Sequence, residues 1–199
     1  MTRWQAAVKR GFDILLSAAG LLLLGWLIAV TYIAASIDTG ASGFFRQERV
    51  GRFGRIFNVI KLRTMRNDAA IDTTVTTASD PRITRLGKVF RRYKIDELPQ
   101  LFNVLVGDMS FVGPRPDVKG FADELEGEDW LILSARPGIT GPATLYFRKE
   151  EQLLQDCDDP ERYNREVIFP EKVRLNLEYI RDYRLLDDLA IIWKTLFRR

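Results

Sequence analysis

The sequence predicts an α+β fold, mostly helical with one small β-hairpin, carried on a re-entrant N-terminal membrane helix and edged by amphipathic interfacial helices. Three observations predict it. An uninterrupted apolar run from Ile14 to Ile37 is long enough to cross a bilayer. A strand-like stretch punctuated by glycine, "GFFRQERVGRFGRIFNVIKLRTM", follows it. Further on, apolar residues recur at helical spacing, first from Leu86 to Tyr93 and again from Leu185 to Leu196. Two regions are therefore expected: an anchoring helix over 1–40 and a cytosolic-face domain over 41–199. A chain of 199 residues can bury a real core in such a domain.

The apolar run exceeds a signal-peptide core, which spans roughly 7 to 15 residues, so it is expected to remain as an anchor. Its flanks are basic on both sides: Arg3, Lys9 and Arg10 before it, and Arg46, Arg49, Arg52 and Arg55 after it. The positive-inside rule then asks both ends to be cytoplasmic, which one straight crossing cannot satisfy. A segment that enters one leaflet and returns can, with Gly20 and the Gly25-Trp26 pair as weak points for a bend. A plain spanning helix is the alternative.

After the anchor, Gly51 and Gly54 set a hairpin whose arginines, with Lys61, form either a solvated basic face or a site for lipid or substrate phosphates. The polar segment from Asn67 to Thr84 reads as a loop. Leu86, Val89, Phe90 and Tyr93 make one stripe of a helix whose other face carries Arg85, Lys88 and Arg92. In "IDELPQLFNVL", Asp96 suits an N-cap, Glu97 suits the first turn and Pro99 is tolerated there because first-turn amides need no acceptor. Arg115 and Arg136 each sit beside prolines in glycine-rich loops. The tail from Val173 to Arg199 reads as one long helix with an apolar face, either core or membrane interface.

Composition narrows the chemistry. There is no histidine, which removes the commonest general base, the Ser-His triad and histidine-ligated zinc. The single Cys157 cannot form an internal disulfide and has no base beside it in "LLQDCDDPE". Carboxylates must carry any acid, base or nucleophile role. Neighbouring helix residues point about 100° apart, so Asp96 and Glu97 suit different tasks rather than a facing pair. Asp96, kept ionised by a helix terminus and by Arg91 or Arg92, suits a nucleophile on phosphorus. Glu97 suits Mg²⁺, which takes one or two carboxylates together with phosphate oxygens, while Lys61, Arg115 and Arg136 suit phosphate. The parts fit phosphoryl transfer. The bland alternative for the dyad is an acidic helix start.

The segments "FFRQERVG", "IKLRTM", "DPRITRLGKVFRRYKIDELPQLFNVLVGDMSFVGPRP" and "RPGITG", in that order, resemble the bacterial monotopic phosphoglycosyl transferases. The resemblance runs from the membrane segment to about Gly141. It implies transfer of a sugar 1-phosphate from a UDP-sugar to polyprenol phosphate at the cytoplasmic leaflet of the inner membrane, with Mg²⁺ as cofactor and UMP as product. It also implies a covalent phosphosugar intermediate on Asp96, with Glu97 as the metal-associated partner beside it. Lys61, Arg91 and Arg115 fall at motif positions tied to substrate phosphates, and Arg136 lies in the RPGITG loop.

Two departures stand out. The family's helix break is usually Ser-Pro, where this chain has Gly25-Trp26, and the usual aspartate near Asn176 is absent. Partners expected are the UDP-sugar, polyprenol phosphate and inner-membrane lipids, with oligomerisation left open and no nucleic acid. Two rivals from other classes are a non-catalytic membrane scaffold and a nucleic-acid module using the basic, aromatic "GRFGRIF".

Overall fold

The computed structural model describes residues 1–66 and 80–197. Most of the predicted Asn67–Thr84 loop and the terminal Arg198 and Arg199 lie outside the described residues. The architecture is α+β and mostly helical, as the sequence predicts.

Helix α1, Arg3–Thr39, is continuous over 37 residues, about 55 Å of rise. It starts with a reciprocal cap: Gln5 N–H donates to Thr2 Oγ1, and Thr2 N–H donates to Gln5 Oε1. It ends at Gly40, whose φ of 67° suits glycine. The break expected at Gly25-Trp26 is not there. Glycine keeps its amide donor, so no helical hydrogen bond is lost, whereas proline would remove one. Within the apolar stretch the hydroxyls of Ser17, Thr31, Ser36 and Thr39 donate to carbonyls four residues back, so none is left bare among apolar groups.

One stripe of α1 is buried along nearly its whole length: Lys9, Asp13, Ser17, Ile28, Thr31 and Ala35. The opposite stripe, with Leu15, Leu22, Leu23, Trp26, Val30, Ile33 and Ile37, is exposed. By length and composition α1 is a candidate membrane helix, with protein along one face and an exposed apolar face on the other.

Strands β1 (Phe44–Val50) and β2 (Ile56–Leu62) form the predicted antiparallel hairpin, in register from Phe44 opposite Leu62 to Val50 opposite Ile56. Helix α2, Arg85–Tyr93, is capped by Thr84 and buries Phe90 against Ala35 of α1 and Leu62 of β2. Its stripe divides, because Val89 and Tyr93 face outward. Helix α3, Gln100–Val106, packs along the N-terminal half of α1, with Leu101 over Gly20. Arg10 donates to the carbonyls of Val104 and Leu105, satisfying the open end of α3. Buried Asn103 donates to Asn58 O and accepts from Ile60 N–H, tying α3 to β2.

Strands β3 (Ser110–Val112) and β4 (Gly138–Thr140) pair in parallel. Short helices α4 (Pro142–Tyr146), α5 (Glu150–Gln155) and α6 (Pro160–Tyr163) lead to α7 (Phe169–Arg181). The largest buried cluster joins Val50, Ala122, Ile132, Leu133, Val173 and Leu177.

The tail is two helices rather than one: α7 ends at Arg181, and α8, Leu185–Phe197, follows. Leu186, Leu189, Trp193, Leu196 and Phe197 of α8 are exposed, whereas Asp188 and Ile191 are buried. That outward apolar face suits the interface rather than the core. Asp188 receives Lys9 of α1 and the hydroxyls of Tyr179 and Tyr183, locking both ends of the chain together. Lys9→Met leaves this buried carboxylate without its cation and is expected to cost about 3–5 kcal/mol in a denaturation series.

Candidate active site

Asp96 and Glu97 occupy a single 3₁₀ turn, Ile95–Glu97, between α2 and α3. The turn begins at Lys94, which stands in the left-handed region at φ 57°. This corrects the sequence expectation that Asp96 caps a helix. The amides of Glu97 and Leu98 already donate to the carbonyls of Lys94 and Ile95, so no capping acceptor is needed, and α3 begins three residues later behind Pro99. Asp96 is therefore free for other use. Its side chain is buried, and Oδ1 has no hydrogen-bond partner among the described residues. Burial raises its pKa, the adjacent Glu97 raises it further, and Lys61, Lys94 and Arg91 pull against both. Burial and the neighbouring Glu97, rather than a helix terminus, thus dominate the setting of Asp96.

Glu97 is the opposite case. Burial would raise it, but Arg115, then Lys61 and Lys94, outweigh burial and hold it at about 2. Arg115 donates to Glu97 Oε1 at 3.3 Å, and Lys94 Nζ lies 4.0 Å from the same oxygen. Lys61, on β2, is lowered to about 8 by burial and then by the nearby Arg115 charge. Arg91 reaches in from α2, its Nε donating to Thr64 Oγ1 at 3.1 Å. Arg92, the other cation named for this role, instead lies outward over the Tyr93 ring.

The structure thus gathers Asp96, Glu97, Lys61, Arg91 and Arg115. It does not gather Arg136, whose Nε donates to the Gly107 carbonyl and whose charged neighbours are Arg52, Arg10 and Asp13. Two further charged residues lie near Arg115: Arg49, which the sequence marks only as one of the hairpin arginines, and Asp117, which it does not mark. Arg49 donates to Pro116 O and is lowered to about 10 by burial and then by Arg115. Asp117 is raised to about 6 by burial, against the pull of Lys172, Arg49 and Arg115. Their only signal was position, Arg49 inside "FFRQERVG" and Asp117 directly after "GPRP". Asn176 sits buried on α7 with Oδ1 unpartnered among the described residues.

The loops that carry Arg115 and Arg136 meet through backbone. A Cβ on Gly113 would stand 2.3 Å from the Arg136 carbonyl oxygen, and one on Gly141 would stand 2.2 Å from the Gly113 carbonyl oxygen. Only glycine allows this approach, and it fixes the stem of the Arg115 loop.

Among the described residues no cluster of three or more acidic or thiol ligands occurs. The pair itself nevertheless fits a magnesium ion: Glu97 is ionised, Asp96 Oδ1 is an unpartnered buried oxygen, and Mg²⁺ commonly takes only one or two carboxylates beside substrate phosphates.

Residues 4–199 match the model of a bacterial sugar transferase. An undecaprenyl-phosphate glucose phosphotransferase of Komagataeibacter xylinus is 36% identical over 212 aligned positions, which cover 100% of this chain and 37% of that protein. A UDP-glucose:undecaprenyl-phosphate glucose-1-phosphate transferase of Escherichia coli is 34% identical over 96% of this chain and 40% of its own length. The exopolysaccharide production protein ExoY of Sinorhizobium fredii is 33% identical over 94% of this chain and 83% of its own length. The chain thus spans about two fifths of the length of the first two relatives. A match that extends from α1 through α8 shows that the chain belongs to the bacterial sugar transferase family.

Proposed function

We propose that the protein is a phosphoglycosyl transferase that moves a sugar 1-phosphate from a UDP-sugar to polyprenol phosphate. The observation that carries the reading is Asp96 itself: a buried carboxylate with a bare oxygen, flanked by Lys61, Lys94 and Arg91, beside a Glu97 that Arg115 holds ionised. A structural carboxylate in such a place would be hydrogen-bonded.

In this reading an Asp96 oxygen attacks the sugar-linked phosphorus of the donor. The bond from that phosphorus to the bridging oxygen breaks, and UMP leaves with the oxygen and its electron pair. An oxygen of polyprenol phosphate then attacks the same phosphorus, breaks the bond to Asp96 and restores the carboxylate. No proton must be removed from either nucleophile, so the lack of histidine is no obstacle. Asp96 Oδ1 and Glu97 would hold Mg²⁺, whose charge offsets that of the diphosphate. Arg115 and Arg91 present planar donors to phosphate oxygens, and Lys61 adds a point charge.

The test is exchange of labelled UMP into UDP-sugar, across a panel of sugars and without polyprenol phosphate. Exchange with one sugar supports the covalent route, because only a two-step mechanism releases UMP before the acceptor binds. Net transfer without exchange would refute it, and silence across the panel would favour the scaffold.

Lys61 sets an alkaline limit. It must be charged to hold phosphate, so kcat/KM is expected to fall above pH about 8 as it loses its proton. Lys61→Arg should move that limb beyond the measurable range.

We further propose that α1 is re-entrant in the sense that both its ends lie on the cytoplasmic side, with the unbroken helix seated in one leaflet instead of turning at a break. The support is its packing: the first half of α1 meets α3, and the second half meets β1, β2 and α2. Single cysteines at Thr2 and Ala41, in a Cys157→Ser background, should label from the same side of the membrane. Labelling from opposite sides would refute it.

A further inference from the structure

A second group of cations lies away from the dyad, around a cavity of about 240 Å³ between the start of α1, the hairpin turn and α7. Arg52 and Arg136 both line it, and neither Asp96, Glu97, Lys61, Arg91 nor Arg115 does. Each arginine is braced through Nε, Arg52 on the Ser134 carbonyl at 2.7 Å and Arg136 on the Gly107 carbonyl at 2.9 Å. Among the described residues, the terminal nitrogens of both guanidinium groups have no hydrogen-bond acceptor, and neither group has a carboxylate within ion-pair distance. Two cations are thus held near one another, with Asp13 as a nearby anion that pairs with neither of them directly.

The same cavity is lined by Asp13, which is 1% exposed. Its Oδ1 accepts from the Ser110 hydroxyl and the Phe111 amide, each at 3.1 Å, but its buried Oδ2 has no partner among the described residues. A buried acceptor left without a donor is costly, and two partly buried guanidinium groups with open terminal N–H groups are suited to an anion, so one ligand with both features would serve all three residues. A simple anion would satisfy the arginines and be repelled by Asp13. A simple amine would do the reverse. A phosphate ester with an N–H or O–H donor beside the phosphate satisfies both at once.

We propose that this cavity is a second anion site that holds such a phosphate ester, as in phosphoethanolamine or phosphoglycerol headgroups. Arg52 and Arg136 take the phosphate oxygens, and Asp13 Oδ2 takes the donor. The wall of the cavity includes Met1, Thr2 and Arg3, next to exposed Trp4, so it lies at the end of the membrane-associated helix. Occupancy would also bear on the first site, because the Arg136 carbonyl abuts Gly113, two residues before Arg115. The inference does not depend on the reaction proposed above.

The test is native mass spectrometry of the full chain released from nanodiscs of mixed phospholipids. Phosphocholine is the decisive comparison, since it shares the phosphodiester and the positive charge but has no N–H. Phosphatidylethanolamine or phosphatidylglycerol should be retained over phosphatidylcholine by about tenfold or more, the worth of one charge-assisted hydrogen bond. Arg52→Met should lower retention about tenfold, and Asp13→Asn should erase the preference for ethanolamine. Arg52→Lys, which keeps charge without the planar fork, provides a folded comparison should Asp13→Asn fail to fold.

A parallel titration with soluble phosphoethanolamine distinguishes the source. Lipid retention assigns a membrane headgroup; binding of the soluble ester alone, with the same losses in the variants, assigns a free phosphate ester. Equal retention of phosphatidylcholine, indifference to both variants, or no binding in either arm would overturn the proposal.

Discussion

Asp96→Asn is expected to lower sugar-phosphate transfer by at least about 10⁴-fold while leaving the protein as stable as the parent or more so. The loss follows from chemistry: an amide oxygen of the same shape cannot form the phosphoryl bond, and removing a nucleophile costs on this scale. The stability follows from burial. A carboxyl whose pKa is raised on folding opposes folding at pH values above its unfolded pKa, where the unfolded form is ionised freely. A neutral amide removes that opposition at neutral pH, and Oδ1 had no hydrogen bond to lose. UMP exchange and a thermal melt on the same sample check both halves. Retained activity would end the covalent mechanism, and a collapsed melt would mean that Asp96 is structural.

Arg115→Met should lower transfer by roughly 10²–10³-fold, the usual cost of removing one preorganised donor from a developing charge. It also carries a pH signature. Arg115 is the leading influence that lowers Glu97 to about 2. A carboxylate depressed in this way contributes stability that is fully present above its unfolded value of about 4.3 and lost as pH falls through the folded value. Without Arg115 the Glu97 pKa rises and that contribution shrinks. The variant should therefore melt below the parent at pH 7 and approach it as pH falls toward 2. A deficit independent of pH would show that Arg115 acts through packing alone.

Much of this was legible in the chain. The apolar run, the hairpin at Gly51 and Gly54, the helix α2 and the Asp96-Glu97 pair all follow from local rules, because helical period, strand pairing across a glycine turn and apolar length are short-range properties. The absence of histidine also narrows the chemistry. Reading α7 and α8 as one helix failed because Asp182–Arg184 carries no glycine or proline to mark the break. The fold turns there so that Asp188 can meet Lys9.

Local sequence therefore determined the kinds of element, the membrane-associated segment and the acidic pair. Tertiary structure decided which charges meet. It raised Asp96 through burial and the Glu97 charge and lowered Glu97 against burial, although they are neighbours in the chain, because the Arg115 guanidinium reaches Glu97 alone. It also sent Arg115 and Arg136, which share the same glycine- and proline-rich setting, to different sites through the close approach of Gly113 and the Arg136 carbonyl. Electrostatic energy depends on distance and burial, and both are set by contacts between residues far apart in the chain.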